Sequence, residues 1–398
     1  MPAIEPLGLG FANEQRDHSP NTKHDRGASV TDLSIAQVPA TGTDTASQLA
    51  AIWQEVLGVE GIGIDQNYFD LGGDSSLAVR MFAQIEKVFK IKLPLATLYD
   101  APTIEELARV LQSNSAACGW SPLVAIQPAG SRPPLFCFHG AGGNVLTYRD
   151  LSKHLGLDQP FYGLQSQGLD GSGPPLTSIE DMAALYSKEI RKVQPYGPYF
   201  LGGYCGGGTI AFEVAQQLRA DGEPVALLAL FDTMNWSRIP RTARSKTAYA
   251  FQRLVFHAAS FLSLDLKGKS QFFREKMEVL RSRIPVWQGM LLAKLNRHAD
   301  NSTSTSLVLG RIWQTNDRAC WSYVPKPYPG KITDFRPAKQ YRIFSQVGLK
   351  WDQLAQEGQE VIVLPVYPAG MLVEPFVEHL GVALRIAMDA ATNASSSR

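Results

Sequence analysis

The sequence predicts a small all-α bundle followed by an α/β domain with a mostly parallel sheet. Three observations carry that prediction. Apolar residues recur at helical spacing between Thr45 and Leu111. From Leu123 onward, short apolar runs alternate with helix-length amphipathic stretches, the signature of strand–helix–strand units. Tyr199–Gly208 passes from an apolar strand through a glycine-rich turn into a helix that opens Thr209-Ile210-Ala211-Phe212-Glu213. Composition sets the limits. The 398 residues have room for about two or three domains, and 44% hydrophobic with 19% charged residues is ordinary for a soluble globular chain. A net charge of +1 without a basic run argues against nucleic acid or an anionic membrane surface as partner. No apolar run is long enough to span a bilayer, and the N-terminus lacks the pattern of an export signal. Cys118, Cys137, Cys205 and Cys320 show neither C-x-x-C spacing nor a disulfide framework. No metal is therefore expected, and the reading is a reducing, cytoplasmic setting.

Residues 1–42 are polar and unpatterned and read as a disordered tail. Leu49, Ile52, Trp53, Val56 and Leu57 fall on one helical face, with Thr45 and Gln48 as an expected capping box. A loop from Gly58 to Gly73 leads to a second helix opening at Asp74-Ser75-Ser76, with Leu77, Met81, Phe82, Ile85, Val88 and Phe89 inward. A last helix starts at Thr103, boxed by Glu106, with Ile104, Leu107, Val110 and Leu111 inward. The bundle spans 43–112 and a flexible linker 113–121. Strands are expected at Leu123–Ile126, Leu135–Phe138, Phe161–Leu164, Tyr199–Gly202, Val225–Phe231, Lys331–Phe335 and Glu360–Leu364. Helices are expected near 178–193, 208–220 and 375–390, closing a domain over 122–392. Only helical patterns occupy about 236–325, which reads as a lid inserted over the sheet edge. Trp287, Trp313 and Trp321 lie within it and suit lid core or the wall of an apolar chamber.

The glycine-rich turn carries the chemistry. Gly203-Tyr204-Cys205-Gly206-Gly207 is a G-x-C-x-G form of the nucleophile elbow, where the flanks must be glycine because a side chain there would strike the neighbouring strand or helix. Cys205 would sit exposed at a helix N-terminus, where the dipole favours thiolate.

Leu71-Gly72-Gly73-Asp74-Ser75-Ser76-Leu77 resembles the attachment motif of phosphopantetheinyl carrier domains, and the likeness covers about 44–112. It is nearest to the peptidyl carriers of nonribosomal peptide assembly, with polyketide carriers close. The resemblance implies that Ser75 bears a covalent 4′-phosphopantetheine, with Asp74 and Leu77 as recognition neighbours and a phosphopantetheinyl transferase as partner. A serine at a helix N-terminus places the phosphodiester where backbone N–H groups favour an anion.

From about Leu123 to Leu384 the chain resembles the type I thioesterases of nonribosomal peptide and polyketide synthases, which have the α/β-hydrolase fold. Phe138-His139-Gly140-Ala141-Gly142-Gly143 looks like the family's oxyanion loop, which implies the backbone N–H groups of Ala141 and Gly206 as donors. Cys205 takes the nucleophile position, where Ser is usual, and Leu230-Phe231-Asp232-Thr233 supplies the acid, Asp232. The family's histidine is missing. It belongs in a Pro-Gly-x-His loop shortly before a Met-Leu-x-Glu-Pro helix start. Here Tyr367-Pro368-Ala369-Gly370-Met371-Leu372-Val373-Glu374-Pro375 puts Pro368 about there, and a proline accepts no proton. Of the seven histidines, His18 and His24 fall in the tail, His139 in the oxyanion loop, His154 on an early helix, His257 and His298 in the lid, and His379 past the expected loop.

The resemblance implies an offloading enzyme that takes an acyl or peptidyl thioester from its own carrier onto Cys205. Release is by hydrolysis, cyclisation or transfer to an amine, with upstream synthase modules loading the carrier in trans. Loss of the histidine spares thiol–thioester exchange and penalises attack by water, since base assistance is typically worth ~10²–10⁴-fold. An alternative is a carrier and docking module whose hydrolase-like domain is silent and only binds the acyl chain. Clearing of misloaded carriers is a third reading.

Overall fold

Seven strands form one sheet in the order β1-β3-β2-β4-β5-β6-β7. The computed structural model describes residues 43–73, 75–113, 120–170, 173–236, 305–338, 351–366 and 370–396. The strands are β1 (Leu123–Gln127), β2 (Leu135–Phe138), β3 (Phe161–Leu164), β4 (Tyr199–Tyr204), β5 (Val225–Phe231), β6 (Ile332–Pro337) and β7 (Gln359–Leu364). All pairings are parallel except β1 with β3, so the expected mostly parallel sheet is what the chain forms.

The central strands β2, β4 and β5 read as near-continuous apolar runs because both faces are covered. Phe136, Phe138, Leu201, Leu228 and Leu230 point to the side of α6 (Ile179–Val193) and α7 (Gly206–Ala220). Their alternates Leu135, Cys137, Phe200, Leu227, Ala229 and Phe231 point to α5 (Arg149–Leu155) and α9 (Val377–Ser396). The period of two along each strand thus builds two separate cores from one set of residues. Helix α9 runs to Ser396, past the expected end of the domain at 392.

The N-terminal bundle holds α1 (Thr43–Leu57), α2 (Ser75–Phe89), a short α3 (Thr97–Asp100) and α4 (Ile104–Gln112). Leu49, Trp53, Met81, Ile85, Ile104 and Leu107 are fully buried, and Trp53 meets Tyr68 edge-on at 5.3 Å. The box at Thr103 is formed: its hydroxyl accepts from the Glu106 backbone N–H at 3.2 Å, and the Glu106 carboxylate accepts from the Thr103 N–H at 3.1 Å. Three expectations need correction. Helix α1 begins at Thr43, so Thr45 lies within it and is not its cap. Val88, in the last turn of α2, is 49% exposed rather than inward. Helix α3 was not foreseen, since four residues are too few to show a period.

The bundle and the sheet belong to one unit, Thr41–Arg398. The lid region contributes α8 (Thr305–Ser322). The expected tail at 1–42, most of the expected linker and residues 237–304 of the expected lid, with Trp287, His257 and His298, lie outside the described residues. Among the described residues, no helix is long and apolar enough to cross a membrane.

Candidate active site

The C-terminal ends of β2, β4 and β5, neighbours in the sheet, bring together the loop after β2, Cys205 and Asp232. Ligand sites in open parallel sheets favour this edge. Cys205 has φ 53° and ψ −118°, a strained conformation for a residue with a side chain, and its N–H donates to the Phe231 carbonyl at 2.9 Å. Glycine is obligatory on both sides: a Cβ on Gly203 would overlap the Gly207 carbonyl carbon, and one on Gly207 the Phe138 carbonyl oxygen. The local sequence therefore fixes the turn, and the turn presents the thiol.

The two backbones expected to supply oxyanion donors converge. A Cβ on Gly206 would sit 3.7 Å from the Ala141 nitrogen. Tyr148 clamps this arrangement, its hydroxyl donating to the Phe138 carbonyl at 2.6 Å and accepting from the Tyr204 N–H at 3.0 Å. From α8, Asn316 Nδ2 donates to the Ala141 carbonyl at 3.2 Å, the Trp313 ring lies beside Gly142, and Cys320 Sγ packs against Gly206. Trp321 instead packs against Trp236 with the rings tilted at 44°, 4.5 Å between ring centroids.

The thiol does not follow the helix-terminus expectation. Burial pushes its pKa up, the Asp232 charge adds to that and the Asp317 charge adds further. The hydrogen bond with the Gly206 backbone opposes them but does not win, and the value reaches about 11. At pH 7 the thiolate is then roughly one part in 10⁴. Asp232 is likewise raised, to about 6, by burial and then by the Asp334 charge, with Arg336 pulling the other way. Asp232 also has φ +44°. Asp334 is fully buried on β6, and its Oδ2 accepts from Arg336 Nε at 2.7 Å and from Gln359 Nε2 at 2.8 Å.

The three described histidines do not complete a catalytic triad. His139 is buried, its Nδ1 faces the Gly140 carbonyl at 2.7 Å and its Nε2 faces the Tyr186 hydroxyl at 2.7 Å. Burial lowers its pKa to about 4. His154 pairs with Glu374 at 2.8 Å, and His379 is exposed, its backbone N–H bonded to Phe376. Among the described residues no hydrogen bond joins any of them to Cys205 or Asp232. Pro368 lies outside the described residues.

At the other candidate centre, Ser75 is the first residue of α2. Gly73, two residues before it, lies against the Tyr68 ring so closely that a Cβ would overlap it. Sequence reading missed Asp334, Arg336, Asn316 and Cys320 near the α/β site. A charged residue inside the buried strand Ile332-Thr333-Asp334-Phe335 was the one available signal.

Residues 133–309 match the Thioesterase domain family and residues 47–111 match the phosphopantetheine attachment site family. The chain is 42% identical over 223 residues to malpinin synthetase of Mortierella alpina, covering 54% of this chain and 3% of that protein. It is 33% identical over 321 residues to a dimodular nonribosomal peptide synthase of Bacillus subtilis, covering 80% of this chain and 13% of that protein. The chain thus spans a small part of these relatives. Among solved structures, a four-domain holo nonribosomal peptide synthetase bound to AMP and glycine aligns with TM-score 0.53 and 26% identity, over 90% of this chain and 27% of the other.

Proposed function

We propose that this chain, which joins a phosphopantetheine attachment domain to a Thioesterase domain and has 4′-phosphopantetheine as covalent cofactor, serves nonribosomal peptide synthesis by carrying an acyl or peptidyl thioester at Ser75 and releasing it through Cys205. The start of α2 suits the cofactor, since a helix N-terminus favours a phosphodiester. When bound, the group supplies a terminal thiol on which the acyl substrate travels.

The observation that carries the reading is the elbow itself, a strained Cys205 beside the converging Ala141 and Gly206 backbones. Cys205 Sγ, giving up its proton, would attack the thioester carbonyl while the Ala141 and Gly206 N–H groups stabilise the charge on its oxygen; the acyl–sulfur bond to the carrier would then break, and the carrier thiol would leave with that proton. Asp232, with its pKa near 6, is mostly ionised at neutral pH and is the acid of this constellation. Exchange between two thiols is nearly thermoneutral, so this step tolerates the lost histidine. Water is a poor second nucleophile without a base, and an amine is the favoured acceptor. A transferase that modifies Ser75 and synthase modules that load it complete the partners.

One observation favours the alternative of a silent acyl-binding domain: the thiol lies near 11 with no described histidine beside it. Intact-protein mass spectrometry separates the two. With acyl loaded on Ser75, acyl should appear on Cys205 and then leave, faster with added amine, and Cys205→Ala should abolish both. Acyl held on Ser75 indefinitely, or release from Cys205→Ala at the parent rate, would remove covalent offloading.

A further inference from the structure

The loop that offers the Ala141 donor continues directly into a surface that meets the carrier bundle. Within ten residues the chain passes from Ala141 to Arg149, the first residue of α5. Arg149 places its guanidinium 4.0 Å above the Phe69 ring and its Nη2 3.3 Å from Asp70 Oδ1. Its own neighbour Asp150 takes Nη1 at 3.4 Å, and Lys153 Nζ adds a second cation 3.8 Å from Asp70. Beside this cluster the Tyr99 hydroxyl donates to the Val145 carbonyl at 3.2 Å. Leu146, Leu169, Leu309 and Ile312 of the α/β domain are buried in one cluster with the carrier core.

We propose that Arg149 and Lys153 form a docking site for this chain's own carrier, recognising the Phe69-Asp70 dipeptide that lies shortly before the attachment serine. Phe69 and Asp70 belong to the loop that leads into α2, so holding them fixes where α2 begins. Arg149 is only 17% exposed and stacks on an aromatic face. It is therefore worth more than an ordinary surface ion pair. Arg149 is a positioning residue, distant in role from the chemistry at Cys205. The inference rests on the offloading reading for its purpose, but not for its test.

The test uses the full-length holo protein. Arg149→Glu should lower hydrogen-exchange protection in 67–73. It should slow acyl transfer from Ser75 by about tenfold, and leave turnover of a free acyl-N-acetylcysteamine thioester, which needs no carrier, within about twofold. Arg149→Lys, which keeps the charge and loses the planar stack, should fall between. Adding Asp70→Lys to Arg149→Glu should restore part of both readouts. Unchanged protection and unchanged transfer in Arg149→Glu, or equal slowing of both substrates, would overturn the dock. If the parent processes neither substrate, offloading fails, and the exchange comparison still decides the dock.

Discussion

A thiol near pKa 11 at the end of β4 makes reactivity at Cys205 steeply dependent on pH. Below the pKa the thiolate fraction grows tenfold per pH unit, so alkylation by iodoacetamide should keep rising from pH 7 to about 10. A plateau below pH 8 would contradict the burial. Asp232→Asn removes the largest negative charge acting on the thiol, so it should speed alkylation at pH 8 even where it impairs acyl release. Asp334 offers a second test. Its folded pKa, about 6, lies above the ordinary 3.8, so the folded state holds the extra proton and stability from this group falls as pH rises through that window. Arg336→Met leaves the buried carboxylate unpaired and should cost about 3–5 kcal/mol at pH 7. The loss should shrink at pH 5, where the carboxyl is neutral; urea titration at the two pH values measures it. The elbow was legible because the glycines it requires, Gly203, Gly206 and Gly207, fall within five residues, although the Phe138 and Phe231 carbonyls they and Cys205 meet do not. The Asp334 neighbourhood was not, because it depends on the register Leu230 with Asp334, set by pairing strands about a hundred residues apart.

Among the elements, α4 is the one whose start was written most plainly. Thr103 and Glu106 satisfy each other's N–H groups, and Thr103→Ala should lower carrier stability by about 1 kcal/mol, visible as an earlier thermal transition of the bundle. Helix α2 shows the limit of the same reasoning. Periodicity says which side of a helix is apolar, not how far its neighbours reach, and Val88 falls beyond that reach. The strands were found because a buried parallel sheet needs apolar runs of four to seven residues. Helix α8 was legible as a helix within the lid, but not its contacts. Asn316 binds Ala141 from 175 positions away, and nothing in the spacing of either announces the other.

At the scale of the molecule, the bundle and the α/β domain were both recognisable, and what the chain's order left unread was how they face each other. The pairs Asp70–Arg149 and Asp70–Lys153 join segments far apart in sequence, and complementary charge has no period. Helix α8 turns that contact into something more. Leu309 and Ile312 lie in the carrier's cluster, Trp313 beside Gly142, Asn316 on Ala141 and Cys320 against Gly206. From Leu309 to Cys320 is about 16 Å at 1.5 Å per residue. One rod of helix therefore sets both the seat of the incoming carrier and the walls around the sulfur. For anyone grafting this thioesterase domain onto a foreign assembly line, the natural splice in the linker is the wrong seam. A borrowed carrier would arrive against a surface cut for another, without the Phe69–Arg149 seat and the α8 contacts that this one makes. The transplantable unit is the pair, joined where it already touches.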